Sequence, residues 1–287
     1  MLNRDWVEVY AGQKIILNVL IDIEELFLAG GTAIQCYLLP KKWRESEDLD
    51  FFVDHELSTK ESATLARKMI NTLQKDSRIV DIRHIYTEDG THRLFCTLVD
   101  MDEIIKVELL NFTAARFRDT DYVTHVDFPR IENHYNLLLY KLKAFCDRKD
   151  TIKDIFDIYF LFKELEPLQI KKLFLDLELK FLETTGYVYS VQHIVNALEI
   201  PRKWDIILTG DENMQFAMKK AIENFQYNFT SSLLDADIEI LDFSYGTYLN
   251  DKVLEFDCEN AENYLSFYEG NAFVEKECRR YLESFTM

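Results

Sequence analysis

Apolar residues recur at helical spacing from Val7 to Phe27, interrupted by Asp22, Glu24 and Glu25. This predicts an amphipathic helix running into a short strand, Leu-Phe-Leu-Ala-Gly. Gly30 and Gly31 end that run, and Thr-Ala-Ile-Gln-Cys-Tyr-Leu-Leu predicts a helix stopped at Pro40. After a polar stretch, Asp-Leu-Asp-Phe-Phe-Val-Asp alternates as a strand does. Ser58 with Glu61 three residues later forms a capping box for a helix reaching about Gln74. Three β-like runs follow closely, separated by the turn signal at 88–91 and by residues 100–103. Strands at 49–53, 78–86, 92–99 and 103–110 suit one mixed or antiparallel sheet flanked by helices, an α/β core of about 160 residues.

Beyond Pro129 the pattern becomes helical throughout, at 133–147, 151–164, 168–184, 190–199 and about 211–229. The expected division is an α/β domain over 1–165 and a mainly helical domain over 166–287, with the boundary near Pro167. The 287 residues fit one large domain or two ordinary ones. With 48% hydrophobic residues but only 8 Gly and 4 Pro, the composition excludes disorder and collagen.

Charge narrows the function classes. The net formal charge is −18, divided as −6 over the first 150 residues and −12 over the rest. Diffuse attraction to nucleic acid or an anionic membrane is disfavoured, so any nucleic-acid contact has to rest on a local basic patch or a metal ion. The five cysteines are scattered without a C-x-x-C pair, which disfavours a zinc site or a disulfide framework. Neither a signal peptide nor a membrane-length apolar run is present, so the expected location is a reducing cytoplasm.

The chemistry-bearing residues concentrate in the first part. Asp48 and Asp50, two apart on a strand, present two carboxylates on one face, a donor pair suited to Mg²⁺; the plain alternative is a solvated strand end. Gly30-Gly31, between a strand and a helix, either offers backbone N–H groups to a phosphate or is simply a tight turn. Glu108, an acid on an apolar strand, is either a third metal ligand or an edge charge facing water. Lys106, on the same face, either pairs with Glu108 or reaches phosphate. Downstream, Lys141, Ala144 and Arg148 share a helical face, as do Lys153 or Asp154 with Asp157 on the next helix; such charges are commonly solvated pairs.

In combination these segments resemble the AbiEii/AbiGii-type nucleotidyltransferase-like toxins of bacterial abortive-infection and toxin–antitoxin systems. The matching text is L-A-G-G-T-A-I, then R-x-S-x-D-L-D-F-F with Arg44 and Ser46, the K-V-E strand, and K-L-x-A followed by Arg148 and K-D-x-x-D-I-Y-F-L. It covers about residues 26–162. The resemblance implies a polymerase-β-like nucleotidyltransferase core with a mixed sheet flanked by helices, Mg²⁺ dependence, an NTP substrate, an acceptor that is tRNA in some members, and a cognate antitoxin. By the same resemblance Asp48, Asp50 and Glu108 would hold metal. Gly30, Gly31 and Thr32 would hold the triphosphate, with Arg44, Ser46, Lys106, Lys153 and Asp157 around it, and Lys141 with Asp154 would complete the site. Glu108 stands where the family more often has Asp, giving one methylene more reach, and the spacing from Arg148 to Lys153 is about one residue longer than usual. Two other classes fit parts of the pattern: a D-x-D glycosyltransferase using a metal-bound nucleotide sugar, and a non-catalytic protein of the same fold that binds a nucleotide or partner.

Overall fold

A computed structural model describes residues 4–55, 57–87, 90–110, 122–148, 150–163 and 191–243. The amphipathic first helix, α1 (Trp6–Leu20), is capped by Asp5, whose carboxylate accepts from Val7 N and Glu8 N. It stops earlier than the apolar pattern predicts. The Arg130 guanidinium donates to the carbonyls of Ile21, Ile23 and Leu26, fixing an irregular turn where a further helical turn would otherwise form. The chain then enters β1 (Phe27–Ala29) and the short helical turn α2 (Gly30–Thr32), which continues as a π-helical turn over Ala33–Leu38.

β2 (Asp48–Phe52), α3 (Thr59–Leu73), β3 (Ile79–Tyr86), β4 (His92–Leu98) and β5 (Ile105–Leu109) follow. The expected capping box is present at α3: Ser58 Oγ accepts from Glu61 N at 3.3 Å, and Glu61 Oε2 accepts from Ser58 N at 2.9 Å. Such a cap contributes about 1 kcal/mol. The five strands form one mixed sheet in the order β1-β2-β5-β4-β3, in which only β2 and β5 run parallel.

Alternation along the strands divides the sheet's two faces. Leu49, Phe51, Leu94 and Val107 enter the core, where α1 meets β5 and packs on α3, and the opposite face carries Asp48, Asp50 and Lys106. Beyond the sheet lie α4 (His134–Asp147) and α5 (Lys153–Lys163), packed on each other, then α6 (Val191–Leu198) and α7 (Glu212–Phe243). The last helix runs past the expected end at 229, and no Gly or Pro interrupts it before 243. The helix expected at 168–184, the proposed boundary near Pro167 and the chain from 244 onward fall outside the described residues. Between α6 and α7 an irregular strap, residues 203–209, returns to the first part. It pairs Leu208 with Arg44 and Lys203 with Thr151, and its backbone bonds Trp43, Glu45 and Ile152.

Candidate active site

Register brings the acids together. Asp48 lies opposite Lys106, and Asp50 opposite Glu108, across the parallel β2–β5 pair, so facing residues share one side of the sheet. One carboxylate oxygen from each of Asp48, Asp50 and Glu108 lies within 4.8 Å of the others. Lys106 Nζ is 2.9 Å from Asp48 Oδ2 and 3.2 Å from Glu108 Oε1. From β4, Arg93 Nε donates to the same Glu108 oxygen at 2.6 Å. Asp48 Oδ1 is buried without a hydrogen-bond partner, and Asp50 makes neither a hydrogen bond nor an ion pair among the described residues. Burial, then the charges of Asp48 and Glu108, push the Asp50 carboxyl up to about 7; burial also raises that of Asp48, against the pull of Lys106. Three oxygen-donor side chains, one with an orphaned buried oxygen, fit a hard divalent cation.

The acids open onto a cleft of about 510 Å³. Gly30, Gly31, Arg44, Ser46, Asp48, Asp50, Glu108, Lys141, Arg148 and Lys153 all line it, joined by Phe52 and Tyr140, whose rings stack at 6.2 Å. The glycines have a structural reason of their own. Gly30 has φ +70°, and a methyl group there would collide with the Asp50 carboxylate. At Gly31 a Cβ would lie 2.6 Å from Arg44 Nη2 and 2.7 Å from Ser46 Oγ. Thr32 is buried behind the turn, and its hydroxyl donates to the Asp48 carbonyl at 2.5 Å, tying the turn to β2.

Lys141 has found protein anions. Its ammonium is 2.8 Å from Asp157 Oδ2 and 3.1 Å from Asp154 Oδ1. Arg44 clamps Asp157 through Nε at 2.8 Å and Nη2 at 2.6 Å. Asp154 and Asp157 are fully buried beneath these cations, and Arg148 Nε lies 3.9 Å from Asp154 Oδ2. Burial pushes the Asp157 carboxyl up, but Arg44 and Lys141 outweigh it and hold it at about 2. Burial likewise disfavours the charged Lys141, and Asp157 with Asp154 raises its pKa nonetheless. Arg148 and Lys153 remain exposed at the rim.

Several members of the site carry no sequence signal of their own. Gln35, on the π-helical turn, donates to Asp157 Oδ1 at 3.0 Å and accepts from Trp43 N and Arg44 N, fixing the clamp. Arg93 reaches Glu108 only through the β4–β5 register. Asp205, Ile206 and Ile207 of the strap complete the cleft wall from far along the chain.

A paired and a third carboxylate on parallel neighbours, beside a Gly-Gly turn in a cleft with basic residues in its wall, belong to the nucleotidyltransferase class of enzyme. Residues 19–237 match the family described as the nucleotidyl transferase AbiEii toxin of type IV toxin–antitoxin systems, and the chain belongs to that family. Among solved structures it is similar to MenT4, a nucleotidyltransferase toxin from Mycobacterium tuberculosis. That match has a TM-score of 0.53 at 14% identity and covers 96% of this chain and 93% of that one. It also matches JHP933 from Helicobacter pylori, with a TM-score of 0.41 at 20% identity, over 80% of this chain and 99% of that one. None of the curated proteins compared with it matches. Among the described residues no helix is long and apolar enough to cross a membrane.

Proposed function

We propose that this enzyme moves a nucleotide from an NTP to a hydroxyl of tRNA in an Mg²⁺-dependent reaction in the cytoplasm, and that a cognate antitoxin restrains it. The acceptor oxygen would form a bond to the α-phosphorus as the bond to pyrophosphate breaks, with the hydroxyl proton leaving to solvent. The observation that carries the reading is the convergence of Asp48, Asp50 and Glu108 within 4.8 Å beside the Gly30-Gly31 turn.

Asp48, Asp50 and Glu108 would hold Mg²⁺, which when bound would neutralise phosphate charge and help ionise the acceptor hydroxyl. The protein's own part is positioning and electrostatics. Gly30 and Gly31 bring backbone close to the triphosphate, while Arg148 and Lys153, exposed at the rim, offer it cations. Lys141 stands in the wall, held in place by Asp157 and Asp154 so that its charge is fixed before substrate arrives. The paired rings of Phe52 and Tyr140 supply an apolar surface against which a base could lie.

The test is to incubate the purified protein with Mg²⁺, each labelled NTP in turn, and total tRNA. Label should enter tRNA from at least one NTP, and both EDTA and Asp48→Asn should abolish it by about three orders of magnitude or more. No labelled tRNA with any NTP, or labelling that survives Asp48→Asn, would overturn the proposal.

A further inference from the structure

The acidic triad already holds a cation. Lys106 Nζ touches Asp48 Oδ2 and Glu108 Oε1, so it sits on two of the three carboxylates that the metal reading above assigns to Mg²⁺. An ion bound by the triad has to share those two carboxylates with an ammonium already paired to both. We propose that Lys106 is a built-in, displaceable counter-cation: it occupies the triad when no metal is bound, competes with the divalent ion for Asp48 and Glu108, and on displacement turns into the cleft toward the incoming triphosphate. This rests on the metal and NTP assignments proposed above and adds a residue that sets the order and affinity of their binding.

Three features support displacement in preference to a permanent pair. The Lys106 side chain is 26% exposed, so solvent is open to it, and the two carboxylates it touches, Asp48 and Glu108, line the cleft. Its charge is a point at the end of a flexible four-carbon stem, released by rotation about single bonds, whereas a bidentate guanidinium clamp such as that of Arg44 on Asp157 is not. Glu108 also keeps Arg93 on the oxygen that Lys106 would leave, at 2.6 Å, so the third acid stays oriented when the lysine departs. The exchange is electrostatically consistent: three carboxylates this close repel strongly when bare, one ammonium relieves part of that, and a divalent ion relieves more. A displaced ammonium in an anion-binding cleft gains a new partner only when triphosphate is present. Metal and nucleotide should therefore each favour the other's binding through this one side chain.

Mn²⁺ tests the idea without relying on turnover, its free concentration being followed by electron paramagnetic resonance. Relative to wild type, Lys106→Met should bind Mn²⁺ at the triad roughly tenfold or more tightly in the absence of nucleotide. Lys106→Gln should shift in the same direction and serves where the Met variant fails to fold. Asp50→Asn should lose the site. Adding a non-hydrolysable NTP analogue should narrow the gap between wild type and the Lys106 variants. Equal Mn²⁺ affinity in wild type and both Lys106 variants, with loss in Asp50→Asn, would overturn the role of Lys106 while leaving the metal site standing. A gap that the analogue does not narrow would overturn the transfer of the ammonium to phosphate. Unchanged Mn²⁺ binding in Asp50→Asn, or none in wild type, would instead overturn the metal assignment itself, and this inference with it.

Discussion

Two charged clusters share the cleft, built from nearly the same residue types, and they behave in opposite ways. On the sheet, Asp48, Asp50 and Glu108 face two cations, Lys106 and Arg93, and Asp50 is left without a partner among the described residues. Across the cleft, Asp154 and Asp157 are matched by Lys141 and Arg44, with the amide of Gln35 filling a further bond to Asp157. One cluster is short of positive charge and its central carboxyl is pushed up to about 7; the other is balanced, and Asp157 is held at about 2. A buried ion cluster whose carboxylates are matched by as many cations is a rigid support, although Asp154 Oδ2 here has no hydrogen-bond partner. A partly exposed one with more acids than cations has room for further positive charge. Acid-for-amide substitutions should therefore have opposite consequences in the two places.

The largest effect on stability is expected from Asp157→Asn. It leaves two buried cations facing one remaining carboxylate, and removal of one partner from such a cluster costs about 3–5 kcal/mol. Chemical denaturation should register this as a lower midpoint. The loss should depend on pH in a particular direction. The folded carboxyl is depressed to about 2, so its stabilisation is complete above the ordinary carboxylate range and disappears as pH falls toward 2. Wild type and variant should converge in acid, and a gap that stays constant down to that pH would break the assignment.

Gly30→Ala should have a smaller effect, about 1–3 kcal/mol, because it places a side chain at φ +70° and drives a methyl into Asp50. Since the collision falls on the sheet cluster, its midpoint should respond to metal, whereas the Asp157→Asn deficit should not.

The smallest effect has the opposite sign. Asp50→Asn should stabilise the chelator-treated protein by a few degrees in melting temperature. Here the folded carboxyl is raised, so wild type loses stability as pH climbs from the ordinary carboxylate range to about 7 and then levels off. The advantage of the Asn variant should grow over that window. A variant that is less stable than wild type near neutral pH without metal would show that the triad is not short of cations.

Much of this arrangement is legible in the chain, and the illegible part has identifiable physical causes. Alternation around Leu49 and Phe51 places Asp48 and Asp50 on one face, and the Ser58–Glu61 spacing locates the start of α3, because both signals are local. That Glu108 lies opposite Asp50, and Arg93 opposite Glu108, depends on strand register, which no local pattern encodes. The sequence also left the faces of α5 undetermined. Ile155, Phe156, Ile158 and Leu161 surround Asp154 and Asp157 on all sides, and the helix is buried nearly all round, so the two acids turn inward under Lys141 and Arg44. The strap at 203–209 has neither helical nor alternating periodicity, and only tertiary hydrogen bonds give it form.

That strap gives the cleft a history in time. A ribosome makes the triad, the Gly-Gly turn and the helices bearing Lys141 and Asp157 first, whereas Asp205, Ile206 and Ile207 emerge only after the intervening chain has been synthesised. At roughly 5–20 residues per second, even Glu108, the last of the acids, waits about 5–20 seconds for the wall that closes the cleft. A nascent chain thus carries the charged groups before it carries the finished pocket, and a truncated translation product ending before the strap is released without that wall.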